Sequence, residues 1–314
     1  MSSRKRIAVI GATGAQGGGL VQAILADDSG AYAVRAITRN PDGEKGRALA
    51  EAGAEVVAAD LDDLASLTAA FEGADAAFCV TNFWEHFSAT KEVTQAKNLA
   101  DAARAAKVPH VVWSTLEDTR KEIPLDDPRM PVLQGEFNTP HFDAKGMSDA
   151  FFLDLPVTCL LTSFYWDNLV HFGMGPTRGE DGVLQFVLPM GEAKMPGIAA
   201  GDIGACAFGI ITAGERYRGM RVGIAGEHLT GAEMAAKLGE ALGEEVRHVS
   251  PPWDVYRTFD FPGADDLGNM FQYYHDCADA FTARRSVDFS RALHPGLQDF
   301  STWLERNVER IPKG

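Results

Sequence analysis

Three glycines, at positions 11, 14 and 17, join a short apolar run, Ile7-Ala8-Val9-Ile10, to an amphipathic segment carrying Leu20, Val21, Ile24 and Leu25. That layout suits a dinucleotide phosphate site. One glycine makes the tight turn, one lets the backbone approach a pyrophosphate, and one brings helix against strand. The phosphates would lie on a helix N-terminus, where free N–H groups and the helix dipole favour negative charge. Gly18 and Gly19 extend the run. Glycine inside a helix costs roughly 1 kcal/mol relative to alanine, so these two imply a close approach that needs them. A second apolar run, Ala33–Thr38, is followed by Arg39-Asn40-Pro41. Chains that bind NAD usually carry an acid there, on the ribose 2′-hydroxyl; an arginine instead pairs with a 2′-phosphate. The expected cofactor is therefore NADP(H).

Composition excludes several function classes. The 314 residues are 46% hydrophobic, enough for one large core or for a large and a small domain. Lys and Arg number 29 against 44 Asp and Glu, a net charge of −15, which opposes direct binding to nucleic acid or anionic lipid. Arg284-Arg285, Arg310 and Lys313 are too few for a basic footprint. The start, Met1-Ser2-Ser3-Arg4-Lys5-Arg6, is basic, but the apolar run after it is too short for a signal peptide, and no stretch has the length of a membrane span. Cys79, Cys159, Cys206 and Cys277 show no paired framework and read as reduced thiols of a cytoplasmic protein. The eight histidines are scattered, so no metal site is expected.

The elements that must position the glycine turn follow from periodicity. Strands are expected near 7–10, 34–38, 55–58, 76–81, 110–114 and 157–162, and helices near 17–27, 44–52, 64–72, 86–107 and 141–154. This alternation specifies a doubly wound parallel α/β sheet of Rossmann type. Between 114 and 141 the order breaks into a proline-rich stretch of the kind that often covers a site. Later come a strand-like 183–188, a strand near 220–225, and a helix near 230–242 with Thr230 and Glu233 placed as a capping box. A smaller, mixed α+β C-terminal lobe is implied, with residues 1–162 and 195–227 in the nucleotide domain and 163–194 and 228–314 in the lobe. Ligands of parallel sheets bind at the carboxyl ends of the strands. Asp60-Leu61, Thr81-Asn82-Phe83-Trp84, Ser114-Thr115 and Ser163-Phe164-Tyr165 are candidates by position, although a polar strand end facing water accounts for any one of them equally well.

The glycine spacing, G-x-x-G-x-x-G, resembles that of short-chain dehydrogenase/reductases. With it come Thr38–Pro41, Val80–Glu85, Pro140-His141-Phe142-Asp143-Ala144-Lys145-Gly146, Tyr165-Trp166-Asp167-Asn168-Leu169 and Phe261–Phe271. Together these blocks resemble the NmrA-like family of atypical short-chain dehydrogenase/reductases, with the nearest likeness to its eukaryotic redox-sensor proteins. The resemblance runs from the first strand to near residue 305. It implies an NADP(H)-binding Rossmann domain and a smaller lobe. It also implies that Gly11, Ala12, Thr13, Gly14, Ala15, Gln16 and Gly17 hold the pyrophosphate, Arg39 and Asn40 the 2′-phosphate, and Asp60 and Leu61 the adenine. Thr81, Asn82 and Phe83, joined by Lys145 and by Tyr165, Trp166, Asp167 and Asn168, would line the ribose and nicotinamide.

One departure concerns catalysis. Active short-chain reductases use Y-x-x-x-K, whose tyrosine donates a proton to the carbonyl while the lysine lowers the phenol pKa and binds the nicotinamide ribose. Here the pair is His141 and Lys145. Histidine can serve as a general acid, but an exposed polar residue at a helix start is the better reading of His141. Two functions follow. In the first, NADP(H) is a signal whose binding changes association with a protein partner. In the second, the chain is an NADPH-dependent reductase of a small carbonyl, quinone or enone, with Lys145 and His141 as its catalytic residues. Phe83, Trp84, Phe164, Tyr165 and Trp166 suit either a substrate wall or an interdomain seam. The missing tyrosine favours the sensor. Among the C-terminal aromatics, core, partner surface and pocket stay open. Asp265-Asp266 reads as a carboxylate-rich helix start rather than a metal site. Monomer and homodimer are both compatible.

Overall fold

Short runs of alanine, valine and isoleucine between amphipathic helices make strands buried on both faces, as a parallel sheet requires. The computed structural model describes residues 4–314; residues 1–3, part of the basic start noted above, lie outside the described residues. β1 (Lys5–Ile10), β2 (Tyr32–Thr38), β3 (Glu55–Ala58), β4 (Ala76–Cys79), β5 (Val111–Thr115) and β6 (Val157–Leu161) alternate with α1 (Ala15–Leu25), α2 (Glu44–Glu51), α3 (Leu64–Phe71), α4 (Ala89–Ala105) and α5 (Pro140–Ser148). Then follow β7 (Phe164–Tyr165), α6 (Asn168–His171), β8 (Thr177–Arg178), β9 (Leu184–Val187), β10 (Met195–Ile198), α7 (Ala200–Thr212), β11 (Arg221–Gly223), β12 (Glu227–Leu229), α8 (Gly231–Leu242), β13 (Val246–Val249), α9 (Trp253–Tyr256) and α10 (Ala264–Asp276).

The large sheet has the order β3-β2-β1-β4-β5-β6-β11. Its five pairings from β3 to β6 are all parallel. This is the Rossmann order, in which the chain reverses direction across the sheet beside β1. Every residue of β4 and β5 is buried. One side of the core is built from Ile10, Leu67, Phe71, Leu99, Val111 and Trp113, with Trp113 stacked on Phe152 at 4.7 Å between ring centroids.

Contacts group the chain into two units: the described part of Met1–Asp118 with Ala144–Leu161 and Gly201–Val222, and Thr119–Asp143 with Thr162–Ala200 and Gly223–Gly314. The second unit holds two small sheets, β12-β10-β7 and β13-β9-β8. The proline-rich stretch groups with this second unit, although the sequence suggests the nucleotide domain for it. Its anchor is buried Asp143, whose carboxylate accepts from the N–H of Thr119 (2.7 Å), Asn138 (2.8 Å) and Thr139 (3.0 Å) and from the Thr119 hydroxyl (2.7 Å).

Several element ends differ from expectation for local reasons. α4 begins at Ala89, not 86, because the Ser88 hydroxyl caps it by accepting from Lys91 N–H. The helix expected over 141–154 closes at Ser148 and continues as a 3-10 turn, Asp149–Phe152, whose Asp149 accepts from Trp113 Nε1 (2.9 Å) and the Thr115 hydroxyl (2.6 Å). The Thr230–Glu233 capping box forms as expected on α8.

Candidate functional site

At the carboxyl end of β1 the chain turns through Gly11, whose φ of +64° favours glycine. Gly14 N–H closes the turn on the Gly11 carbonyl at 2.8 Å. Gly14 is also the N-cap of α1, with no side-chain cap and no acid in the first helical turn. The first N–H groups of an eleven-residue helix therefore lack the usual internal partners and favour an anion. A Cβ on Gly17 would lie 2.6 Å from Gly11 C and 2.7 Å from the Ile10 carbonyl oxygen, so only glycine lets the helix close on the strand. Gly19 has a different use from the one its place in the run suggests. Its Cβ would lie 2.8 Å from Gly201 Cα, and one on Gly204 would lie 2.7 Å from the Gln16 carbonyl, so these glycines let α1 and α7 touch backbone to backbone. Gly18 has no comparable demand, its nearest neighbour being 3.5 Å away. Ala12 is buried, Thr13 half-buried and Ala15 exposed. The Gln16 side-chain oxygen accepts from the Ser114 hydroxyl at 2.7 Å.

Arg39 and Asn40 follow β2 and are exposed. The Arg39 guanidinium faces both oxygens of Glu85, with Nη2 3.1 Å from Oε2 and Nη1 on Oε1. The hydrogen bond to Glu85 raises the Arg39 pKa, and the nearby carboxylates of Asp60 and Asp62 add to it. The two side chains are 61% and 45% exposed, so the pair contributes only about 0–1 kcal/mol and yields readily to another anion. Arg39 and Asp60 meet in one shallow cavity of about 220 Å³, with Ala58, Ala59, Asp63 and Ser66. Asp60 is held by an accepted bond from Asp62 N–H (2.9 Å), and the Leu61 carbonyl by Asn98 Nδ2 (2.8 Å). A cavity of about 160 Å³ lined by Lys5, Tyr32, Asp75, His110 and Arg218 lies at the amino ends of the strands, away from where parallel sheets bind ligands.

After β4, Thr81 and Phe83 are buried and Asn82 is exposed. Phe83 packs edge-on against Trp84 and Phe87, at 5.3 and 6.0 Å. Lys145, on α5, reaches Thr81: Nζ lies 2.7 Å from the hydroxyl and 3.1 Å from the carbonyl oxygen, and 3.1 Å from Glu92 Oε1. The Thr81 hydroxyl in turn donates to Glu92 Oε1 at 2.6 Å. All three ammonium protons thus have acceptors. Sequence reasoning passed over Glu92, yet its signal was present: it stands on the buried face of α4 with Ala89, Ala96, Leu99 and Ala103, where the helical spacing calls for an apolar residue.

In the second unit, His141 corrects the sequence expectation. It is 6% exposed, not solvated, because Nδ1 lies 2.7 Å from Asp266 Oδ1 and its backbone N–H donates to Oδ2 at 3.2 Å. Asp266 belongs to the acid-bearing first turn of α10. Tyr165 ends β7 and is half-buried. Trp166 is buried against Phe300 and Trp303 in that unit's core. The Asp167 carboxylate accepts from Ala200 N–H at 2.8 Å, at the start of α7, and Asn168 opens α6. Of these four, Trp166 and Asp167 have packing and capping duties of their own.

A family model described as the NmrA-like family matches residues 3–304. Over 290 residues the chain is 29% identical to FrzB of Cladobotryum sp, an NmrA-like family domain-containing oxidoreductase, covering 85% of this chain and 83% of that protein. The crystal structure of NmrA, a negative transcriptional regulator, in complex with NADP is similar at a TM-score of 0.77 and 22% identity, covering 98% of this chain and 95% of that one. The Citrobacter sp. triphenylmethane reductase complexed with NADP(H) is similar at 0.73 and 19% identity, covering 97% and 99%. At these identities the two solved structures share the fold.

Proposed function

Because the chain belongs to the NmrA-like family, we propose that it binds NADP(H) in its first unit and acts as a sensor of that cofactor, passing its state to a protein partner. The cradle fits the group: a turn open to backbone approach, uncapped helix N–H groups for the pyrophosphate, and a displaceable arginine for the 2′-phosphate. In this reading Gly11 to Gly17 hold the pyrophosphate, Arg39 and Asn40 the 2′-phosphate, Asp60 and Leu61 the adenine, and Thr81, Asn82, Phe83 and Lys145 the ribose and nicotinamide. When bound, NADPH supplies a hydride.

The observation that carries the sensor reading is His141. The imidazole at the position of the proton-donating tyrosine is buried and bonded to Asp266, which suits a structural pair better than a donor to substrate. A sensor needs the two cofactor states to differ in affinity, or to present the partner with different surfaces.

A second reading, an NADPH-dependent reductase of a small carbonyl, quinone or enone, is favoured by the buried Lys145–Glu92 pair and by the oxidoreductase names of the relatives. Calorimetric titration of NADPH, NADP⁺, NADH and NAD⁺, followed by NADPH turnover with quinones, enones and aldehydes, separates the two. Binding that favours the phosphorylated cofactors, with no turnover, is the expected result. Turnover with any substrate would make the chain a reductase, and no binding would remove both readings.

A further inference from the structure

Behind Lys145 lies a polar group that the cofactor reading leaves unused. Glu92 is 0% exposed, and both of its contacts, from Lys145 and Thr81, fall on Oε1. Its other oxygen, Oε2, is buried with no hydrogen-bond partner among the described residues. Facing it at 3.7 Å is His86 Nε2, also buried and also without a partner. Each orphaned polar atom costs free energy, and here two of opposite kind are set against each other just beyond bonding distance.

The tautomer is determined by the loop. Ser88 N–H donates to His86 Nδ1 at 3.2 Å, so the neutral ring carries its proton on Nε2, pointing at Glu92. A further proton can enter only at Nδ1, breaking the bond from Ser88. The ring lies at the surface end of the cluster, its side chain 11% exposed, beside Phe87 at φ +53°. Of the other charged groups, Lys145 lies behind Glu92, Asp62 interacts with the His86 ring and is itself paired with Lys91, and Glu85, next to His86 in the chain, is paired with Arg39.

We propose that Glu92 is the positioning residue for Lys145 and that His86 is its proton store. Lys145 already spends its three protons on Thr81 and Glu92, so a ribose hydroxyl can be bonded only if one of these contacts loosens. A buried carboxylate that loses part of its counter-charge is costly. His86 removes that cost by taking a proton from solvent at Nδ1 and closing Nε2–H on Glu92 Oε2. Dinucleotide binding therefore draws in a proton. The proposal rests on the cofactor reading above and assigns two residues to it.

The test is calorimetry of NADPH binding in two buffers of different ionisation heat, repeated across near-neutral pH, for the wild type, His86→Gln and Glu92→Gln. The wild type is expected to take up a fraction of one proton, with affinity falling by at most about tenfold per pH unit as pH rises. His86→Gln should bind with that fraction gone, and Glu92→Gln should lose it and bind more weakly. The cofactor's own 2′-phosphate titrates nearby, but it cancels in the difference between proteins. If Glu92→Gln fails to fold, the His86 variant carries the test alone. Equal proton uptake by wild type and His86→Gln, with NADPH bound by both, overturns the pairing and leaves the cofactor reading standing. Absence of NADPH binding by the wild type overturns both.

Discussion

Arg39, to which the proposed function gives the 2′-phosphate, is a cation that already holds a carboxylate, Glu85. A doubly charged phosphate competes well with one exposed carboxylate. Arg39→Ala is therefore expected to weaken NADP(H) binding by about 10- to 100-fold, the range of a charge-assisted hydrogen bond, and to leave NAD(H) nearly unchanged. Titration of both cofactors checks this, and an equal loss for both would contradict it. That an arginine follows the second strand was readable from the sequence; its role there is the proposal above. Its pairing with Glu85 was not readable, because the two stand 46 positions apart and are brought together only by the order of the strands. His141 misled for the same reason: its partner is 125 residues away, and one distant carboxylate turns a helix-start polar residue into a buried one.

Helix packing gives the glycines two distinct uses that the sequence runs together. Gly17 is required by its own strand, a contact within one βα unit, and its spacing shows it. Gly19 is required by α7, some 180 residues later, and nothing near it announces the partner. Gly204→Ala would drive a methyl into the α1 backbone at Gln16 and Leu20, at an expected cost of about 2–3 kcal/mol. Gly18→Ala makes only an ordinary van der Waals contact, with the Ala12 carbonyl oxygen at 3.5 Å, and is expected to stabilise α1 by up to about 1 kcal/mol. Urea unfolding of the two variants should move the midpoint in opposite directions, and a matching shift would contradict the packing account. Strand and helix identities were readable from periodicity, whereas their ends were decided by particular bonds, such as the Ser88 cap and the Asp149 contacts.

No helix among the described residues is long and apolar enough to cross a membrane, and the net charge of −15 makes the chain repel polyanions. Its response to acid has an identifiable component. His110 is buried at the start of β5, with Nε2 3.0 Å from the Thr158 hydroxyl. Burial, helped by Arg218, pushes its pKa down to about 4. In the unfolded chain it titrates near 6.5, so between these values the unfolded state binds the extra proton. Stability from this group is full above about pH 6.5 and is lost as pH falls toward 4, by about 1–3 kcal/mol. His110→Gln, which keeps a donor for Thr158, should flatten that part of the stability–pH curve in chemical denaturation; an unchanged slope would assign the acid sensitivity elsewhere.

The sequence by itself determined the Rossmann sheet, the glycine turn and the arginine after the second strand, because each is written in local spacing: period two or 3.6, a turn, a strand end; the family was legible only as a resemblance of separated motif blocks. The tertiary structure decided which charges meet. Glu85 with Arg39, Glu92 with Lys145, and Asp266 with His141 are pairs between distant segments. Buried polar atoms must find partners wherever the fold brings them, and that depends on strand order and helix packing rather than on neighbours along the chain.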